Sequence, residues 1–165
     1  MEKILIIGCP GSGKSTLSKK INKITKIPLY HLDLIYWKDD KTNIDKNEFI
    51  SILSDILKKD EWIIDGNYSS TMEMRIKSCD TIIFLDYPLD VCLKGVNERK
   101  GTKRSDMPWI ETEDDISFIE FIKEYNSVNR PQVLALFNKY PEKKIYIFKN
   151  RKEADEFVEK LKRKA

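Results

Sequence analysis

The sequence predicts an α/β domain in which helices surround a parallel sheet. Short, almost wholly apolar runs alternate along the chain with longer segments whose apolar residues recur at helical spacing. Such an alternation is typical of βαβ units, because the strands of a parallel sheet are buried on both faces. With 165 residues and no low-complexity linker, the chain is expected to form a single domain over residues 1–165.

Five apolar runs are predicted strands. They are rich in isoleucine, leucine and aromatic residues, and polar or turn-forming residues bound them. In chain order the predicted strands are Lys3–Gly8, Ile27–Leu32, Glu61–Gly66, Asp80–Pro88 and Lys143–Lys149.

Six segments between and after these strands have helical patterns. A long one starts near Thr112, where "TEDD" resembles a capping box, and runs through Ile116, Ile119, Ile122 and Val128. Pro131 is predicted to kink or break it, because proline has no N–H and its ring clashes with the preceding turn. The other helices are predicted over Ser15–Ile24, Asp45–Lys58, Ser69–Lys77, Leu89–Arg99 and Lys152–Arg163.

The charge balance is only weak evidence about partners. The 30 Lys and Arg residues are interleaved with 27 Asp and Glu, which makes nucleic acid a weaker candidate partner. The chain has no long apolar run and no signal-peptide pattern, so a cytoplasmic protein without a membrane contact is expected, either monomer or homodimer. Cys9, Cys79 and Cys92 are expected to be free thiols, and a redox role for Cys9 is the weaker interpretation.

The stretch "GCPGSGKST" fits the phosphate-loop pattern GxxxxGK[ST] between a predicted strand and a predicted helix. Its glycines let backbone N–H groups converge at the positive end of the helix, which makes an anion-binding site for ATP. Lys14 is predicted to contact the β- and γ-phosphates, and the Ser15 hydroxyl to bind Mg²⁺. The predicted nucleotide-binding residues of this stretch are Gly8, Pro10, Gly11, Ser12, Gly13, Lys14, Ser15 and Thr16.

A second part of the site is expected beyond the carboxyl ends of the other strands, where open parallel sheets bind ligands. Asp65 ends the third predicted strand and is a candidate to hold Mg²⁺ through water, with Asp86 as its competitor. The alternative for either carboxylate is to cap the following turn or helix. Gly66 favours Asp65 for the metal because it leaves room for a ligand, and Asp86 is interpreted as a cap.

Asp33, at the end of the second strand, is predicted to orient or deprotonate a hydroxyl acceptor. His31 shares a predicted strand face with Asp33, so the two are expected to contact one polar acceptor. The alternative is a turn-capping aspartate beside a partly buried, hydrogen-bonded histidine. Tyr36 and Trp37 are interpreted as core residues rather than a platform for base stacking.

The charged loop "RKGTKRSDMPW" is predicted to be a lid over about residues 99–110. Arg99 and Arg104 are predicted to stabilise negative charge on a phosphoryl group while the loop excludes water. Asp106 is expected to orient Arg104. The alternative is a solvated, charged loop.

These motifs occur in the order seen in the adenylate kinase-like P-loop kinases, which the chain resembles. "HLDLIYWK", "WIIDGNYSSTMEMRI" and "RSDMP" are most similar to the bacterial DNA topology modulation, or FlaR-like, proteins. The resemblance implies a P-loop NTPase three-layer sandwich with a five-stranded parallel sheet in the order 2-3-1-4-5 and a short lid. It also implies that Arg99 and Arg104 mark the entry and exit of the lid, and that Asn150 with Arg151 borders adenine.

The same resemblance bears on the acceptor. Asp65 matches the acid of the "DGFPR" element, and Arg75 is the nearest candidate for its arginine. "HLDLIYWK" replaces the segment that grips AMP in adenylate kinases, which argues against AMP, and an aspartate at this position is similar to shikimate, gluconate and nucleoside kinases. The predicted substrate-binding residues are His31, Asp33, Asp65, Asn67, Tyr68 and Arg75.

Two hypotheses follow. The first is an ATP- and Mg²⁺-dependent phosphotransferase that acts on a nucleotide, a nucleoside or another small hydroxyl compound, with Lys14, Asp33, Arg99 and Arg104 as catalytic residues. The second, taken from the FlaR-like resemblance, is a nucleotide-regulated DNA-associated protein without kinase activity. The sequence contains no helix-turn-helix, zinc-finger or basic-stripe signal, which favours the first.

Overall fold

The computed structural model describes all residues from Met1 to Ala165 and contains five strands and seven helices. The strands are β1 (Lys3–Gly8), β2 (Leu29–His31), β3 (Trp62–Asp65), β4 (Thr81–Leu85) and β5 (Lys144–Phe148). The helices are α1 (Lys14–Thr25), α2 (Leu32–Tyr36), α3 (Lys46–Leu57), α4 (Ser69–Ser78), α5 (Leu89–Arg99), α6 (Ile116–Lys139) and α7 (Arg151–Lys164).

The five strands form one parallel sheet in the order β2-β3-β1-β4-β5, as expected. The three central strands are almost completely buried because helices cover both of their faces. The register places His31 beside Asp65 and Asp65 beside Ile6, while Gly8 pairs with Leu85 on the other side. The carboxyl ends of the strands therefore meet at one edge of the sheet, where the phosphate loop begins.

The second strand is shorter than predicted, and this changes the predicted relation between His31 and Asp33. It ends at His31, and the next five residues form the short helix α2. Leu32 is completely buried in that helix and fills the space beside Gly66, where an added Cβ atom would lie 2.9 Å from the Leu32 Cβ atom. The expectation that His31 and Asp33 share a strand face is therefore wrong, because Asp33 lies on a helix.

The long helix α6 also differs from the prediction. It begins at Ile116, where the Asp115 side chain accepts a hydrogen bond from the Phe118 N–H at 3.2 Å, rather than near Thr112. It continues through Pro131 to Lys139, so the predicted break does not occur. Val133 and Phe137 on the turns after Pro131 are buried, and this packing compensates for the one N–H that proline lacks.

The helices form two groups around the sheet. α1 packs with α7, and α6 packs with both α4 and α5. The apolar residues that the spacing places on one face of α6 are only partly buried. Ile122 is buried, whereas Ile116 and Val128 are exposed. None of the helices combines the length and the apolar character needed to cross a bilayer.

Candidate active site

A cavity of about 750 Å³ lies where the phosphate loop, the predicted lid (about residues 99–110), α6 and the segments after β2 and β3 meet. Most of the residues that the sequence singles out line it, including residues from loops that are far apart in the chain. The predicted site residues in its wall are Pro10, Gly11, Gly13, Lys14, Ser15, Thr16, Asp33, Asp65, Asn67, Tyr68, Arg99, Arg104 and Arg151. The predicted residues outside its wall are Gly8, Ser12, His31, Arg75 and Asn150.

The phosphate loop is held against α5 by backbone contact. Gly11 has φ +82°, and a Cβ atom there would lie 2.0 Å from the Cys92 carbonyl oxygen. Conversely, a Cβ atom on Gly95 would lie 2.1 Å from the carbonyl oxygen of Gly11. The two backbones can approach this closely only because both positions are glycine. α5 therefore sets the position of the loop, a role for Gly95 that the sequence analysis missed.

Gly95→Ala is expected to push α5 away from the loop, because the added methyl group meets backbone rather than a flexible side chain. Overpacking of this kind typically costs about 1–3 kcal/mol. We expect a lower melting temperature together with weaker binding of a nonhydrolysable ATP analogue, measured by thermal unfolding and calorimetry. Lys94→Ala, at an exposed position of the same helix, is the control. Unchanged stability and affinity in Gly95→Ala would contradict this account of the loop.

The Lys14 side chain lies along the inside of the loop. Its Nζ atom donates to the carbonyl oxygens of Gly8 at 2.9 Å and Cys9 at 3.3 Å. Burial lowers the pKa of Lys14, and the nearby carboxylates of Asp33 and Asp65 act in the opposite direction. A cation that is poorly solvated and held by two weak acceptors is well suited to binding phosphate oxygens.

Asp106 connects the lid to the phosphate loop. Its Oδ2 atom accepts a hydrogen bond from the Ser15 hydroxyl at 2.7 Å, and Arg104 donates to both of its oxygens at 3.1 and 2.6 Å. Burial tends to raise the pKa of Asp106, but the bonds from Arg104 and Ser15 outweigh burial and hold it well below its usual range. The predicted contact between Asp106 and Arg104 is confirmed, whereas the contact with Ser15 had no signal in the sequence.

Glu111 is a second anchor for the lid, and it also was not predicted. One of its oxygens, Oε2, accepts hydrogen bonds from Arg99 Nε and Arg104 Nη1, each at 3.0 Å. Burial and the charge of Arg104 lower the pKa of Arg99. Burial also acts to lower the pKa of Arg104, but the hydrogen bond to Asp106 outweighs it, so the pKa of Arg104 is raised. The lid thus brings two arginines and two carboxylates into the cavity as one compact group.

Asp65 lies at the centre of a buried hydrogen-bonded group. Its Oδ2 atom accepts a hydrogen bond from the Ser18 hydroxyl at 2.5 Å and lies 2.7 Å from His31 Nδ1. His31 therefore contacts Asp65 rather than Asp33, and it does not line the cavity. Ser18 was missed, although it lies one helical turn after Ser15, a spacing that places both hydroxyls on the same side of α1.

Asp33 lies in the cavity wall and is hydrogen-bonded to Tyr68. The Tyr68 hydroxyl donates to Asp33 Oδ1 at 2.5 Å. Burial raises the pKa of Asp33, whereas this hydrogen bond and the charge of Lys14 act to lower it. Burial also raises the pKa of Tyr68, so the phenol remains the donor. The result is a carboxylate that is oriented by one fixed donor and binds protons more readily than a solvated one.

An aromatic group surrounds this pair. The Tyr36 ring lies 5.0 Å from the Tyr68 ring and 4.9 Å from the Trp37 ring, between their centroids. Trp37 lines the cavity and meets Trp109 of the lid edge to face at 5.5 Å. The interpretation of Tyr36 as a packing residue agrees with these contacts, but Trp37 is both a packing residue and part of the cavity wall.

Arg75 supports the loop after β3 from below. It is 0% exposed, and its guanidinium donates to the carbonyl oxygens of Gly66 at 2.8 Å, Tyr68 at 3.0 Å and Asn67. Through these bonds Arg75 orients the loop that carries Asn67 and Tyr68. Its predicted contact with a substrate would require a change in these bonds.

The far side of the cavity holds Arg151 but not Asn150. Asn150 caps α7, where its side-chain oxygen accepts the Glu153 N–H at 3.0 Å.

Asp86 does not cap α5 and does not line the cavity. Arg130 donates to its two oxygens at 2.8 and 2.9 Å, and Lys149 also contacts it. These cations outweigh burial and lower the pKa of Asp86, so its carboxylate joins α6 to the segment after β5.

A five-stranded parallel sheet in the order 2-3-1-4-5, with a glycine-rich loop between the first strand and α1, is also the fold of the solved structures that this chain is similar to. No protein-family profile matches the chain, and no curated protein matches its sequence significantly. Solved structures do match its fold over nearly its whole length.

Three of these structures are named kinases. Shikimate kinase from Bacteroides thetaiotaomicron has a TM-score of 0.61 and 18% identity, over 97% of this chain and 95% of that one. Shikimate kinase from Acinetobacter baumannii, in complex with shikimate, has a TM-score of 0.64 and 12% identity, over 98% and 90%. A gluconokinase from Sinorhizobium meliloti has a TM-score of 0.60 and 13% identity, over 97% and 89%. At these identities the likeness establishes the fold.

Proposed function

We propose that this chain is an ATP- and Mg²⁺-dependent phosphotransferase that transfers the γ-phosphoryl group of ATP to a small hydroxyl compound. The observation that carries this proposal is that one cavity contains a phosphate loop, two lid arginines and a carboxylate of raised pKa. Phosphoryl transfer needs these groups: donors for the phosphates, cations for the charge of the transition state and an oxygen that accepts the proton of the acceptor.

The step is written as an in-line displacement. The acceptor oxygen forms a bond to the γ-phosphorus while the bond from that phosphorus to the bridging oxygen breaks, and ADP leaves with the bond's electron pair. The acceptor proton passes to Asp33, which Tyr68 holds in one orientation. Lys14, Arg99 and Arg104 stabilise the negative charge that accumulates on the transferred group. The lid excludes water, which otherwise competes as an acceptor.

The oxygen donors at the end of the phosphate loop fit a magnesium ion. Mg²⁺ in nucleotide sites keeps several waters and takes one or two protein oxygens together with phosphate oxygens. We assign the Ser15 hydroxyl as its protein ligand and Asp65 as a carboxylate that holds its waters. When bound, Mg²⁺ neutralises phosphate charge. Asp106 already contacts the Ser15 hydroxyl and is therefore a further carboxylate in reach of this position.

The proposal is tested by incubating the protein with γ-labelled ATP, Mg²⁺ and separate members of a panel of nucleosides, nucleoside monophosphates, polyols and sugar acids. We expect transfer of the label to one class of compound, at a rate well above the ATP hydrolysis seen without any acceptor. A reaction without protein and one without Mg²⁺ are the controls. Binding of ATP without label transfer to any compound would overturn the kinase assignment.

Tyr68→Phe is expected to move the acid limb of the pH–rate profile to higher pH. The Tyr68 hydroxyl stabilises the charged form of Asp33, so removing it raises the pKa of Asp33, and activity is lost earlier as the pH falls. A hydrogen bond to a charged group is worth about 1.5 kcal/mol or more, which corresponds to a shift of about one pH unit. Tyr36→Phe, in the same aromatic group, is the control. Equal pH–rate profiles for the two variants would show that the acid limb does not reflect protonation of Asp33.

The alternative, a nucleotide-regulated DNA-associated protein, rests only on the FlaR-like resemblance and stays a prediction. A gel shift at physiological salt, with and without ATP, tests it. Binding that disappears above low salt indicates nonspecific electrostatic attraction. A cytoplasmic location and a monomeric or homodimeric state are likewise proposals, to be tested by fractionation and by light scattering.

A further inference from the structure

One end of the cavity contains one carboxylate, that of Asp33, but no lysine, arginine or histidine. We define this acceptor end by the cavity residues from α2, from the loop after β3 and from the start of α4. These are Asp33, Trp37, Asn67, Tyr68, Ser69 and Met72. It lies beyond β2 and β3, on the side of the phosphate loop away from Arg151, which follows β5 at the other edge of the sheet.

Two basic residues that flank the acceptor end, Arg75 and His31, are engaged elsewhere. The guanidinium of Arg75 is completely buried and donates to three backbone carbonyl groups of the loop after β3. The imidazole of His31 lies against Asp65. Neither side chain lines the cavity. An anionic group of a bound acceptor would therefore find no partner among these segments, and it would lie beside the carboxylate of Asp33. The cavity cations whose charges act on Asp33 are Lys14, Arg99 and Arg104, and in the proposed function the phosphates of ATP occupy them.

The lid adds no net positive charge to the cavity. Its two arginines, Arg99 and Arg104, are hydrogen-bonded to the two carboxylates of Asp106 and Glu111. The four side chains together carry no net charge. In the proposed function the free N–H groups of these arginines serve the transferred phosphoryl group, which leaves none for a second anion.

The wall formed by α6 is uncharged, and three polar side chains lie among four apolar ones. Tyr125, Asn129 and Gln132 all line the cavity, at a spacing that places them on one face of the helix. The Tyr125 side chain is 3% exposed, and its hydroxyl has no hydrogen-bond partner in the protein. Since a buried hydroxyl normally has a partner, this one is available to a polar group in the cavity. α6 packs against α4, which carries Ser69 and Met72, so this wall borders the acceptor end of the cavity.

We propose that the acceptor is a hydroxyl compound without an acid group, such as a polyol, a nucleoside or an amino alcohol. This inference rests on the proposed function and gives its substrate class. An acceptor carboxylate or phosphate would lose its hydration in a space without a free cation and beside Asp33, which is unfavourable. Hydroxyl and amide groups of the acceptor instead match Asn67, Tyr125, Asn129 and Gln132. Shikimate and gluconate are both carboxylates, so the acceptor differs in charge from the compounds named in the similar structures.

The test uses pairs of compounds that differ only by the acid group: glucitol and gluconate, methyl shikimate and shikimate, and a nucleoside and its 5′-monophosphate. Transfer of label from γ-labelled ATP is measured for each. We expect the acid-free member of the pair that reacts to have a kcat/KM at least about tenfold higher than its partner. Preference for an acid overturns this inference while leaving the kinase assignment intact, whereas no transfer in any pair overturns both.

A pair of variants tests the role of α6 separately. Gln132→Arg places a cation on the wall, and Gln132→Met keeps the length of the side chain without a charge. Gln132 is exposed at the cavity rim, so both variants are expected to fold. We expect Gln132→Arg to raise the acid to acid-free ratio of kcat/KM about tenfold relative to Gln132→Met. An equal ratio in the two variants would overturn the assignment of this wall to the acceptor.

Discussion

Lys14→Ala is expected to abolish phosphoryl transfer, with a loss of about 10³-fold or more in kcat/KM. Lys14 is the only residue of the phosphate loop with a positive charge, and its Nζ atom lies inside the loop against two carbonyl oxygens. Removal of the ammonium leaves the phosphates with N–H donors alone, and the charge of the transition state is less well stabilised. The measurement is transfer from γ-labelled ATP to whichever acceptor the panel identifies.

The control is Lys20→Ala on the same helix. Its side chain is exposed and paired with Asp155, so it removes one positive charge from α1 without touching the loop. Wild-type activity is expected in this variant. Both variants should unfold at a similar temperature, which separates a catalytic defect from a folding defect. If Lys14→Ala retained full turnover, the glycine-rich segment would be a structural turn and not an ATP site.

The sheet was predictable because its signals are local. Each of the central strands is a short run of apolar residues, and the phosphate-loop pattern marks the junction between β1 and α1. The strand order was available only from the resemblance, since no local pattern specifies which strands are neighbours. The end of β2 was misjudged because "YHLDLIYW" has apolar residues at both strand and helix spacing. Only the packing of Leu32 against Gly66 decides for a helix.

The site was predictable to the extent that its residues carry a motif. The phosphate loop, Asp33 and the lid arginines do, and they line one cavity. Ser18 and Glu111 do not, because each becomes part of the site through a contact with a distant segment. Tyr125 carries no motif either, and it lines the cavity because of where α6 packs. Asp86 shows the opposite error. Its position after a strand suggested a cap, whereas two cations from later segments determine its role.

Asp33→Asn is expected to lower kcat by about 10²–10⁴-fold while leaving ATP affinity nearly unchanged. Asparagine has the size of aspartate and can still accept the hydrogen bond from Tyr68, so the geometry of the wall is retained. What it loses is the ability to take the acceptor proton. The acid limb of the pH–rate profile, which reflects a pKa raised by burial of Asp33, should be absent in the variant.

This variant separates two roles for the same carboxylate. If Asp33 only held Tyr68 and the aromatic group in place, Asp33→Asn would keep the kcat of the folded protein, and at most the melting temperature would fall, because an amide oxygen is a weaker acceptor than a carboxylate. As a proton acceptor, it would change kcat at an unchanged melting temperature. Asp39→Asn, on the exposed segment after α2, removes one carboxylate nearby and is expected to change neither. Because kcat, ATP affinity and stability are measured on the same samples, a fall in stability alone would assign Asp33 to the packing of α2 and remove the general base from the proposed mechanism.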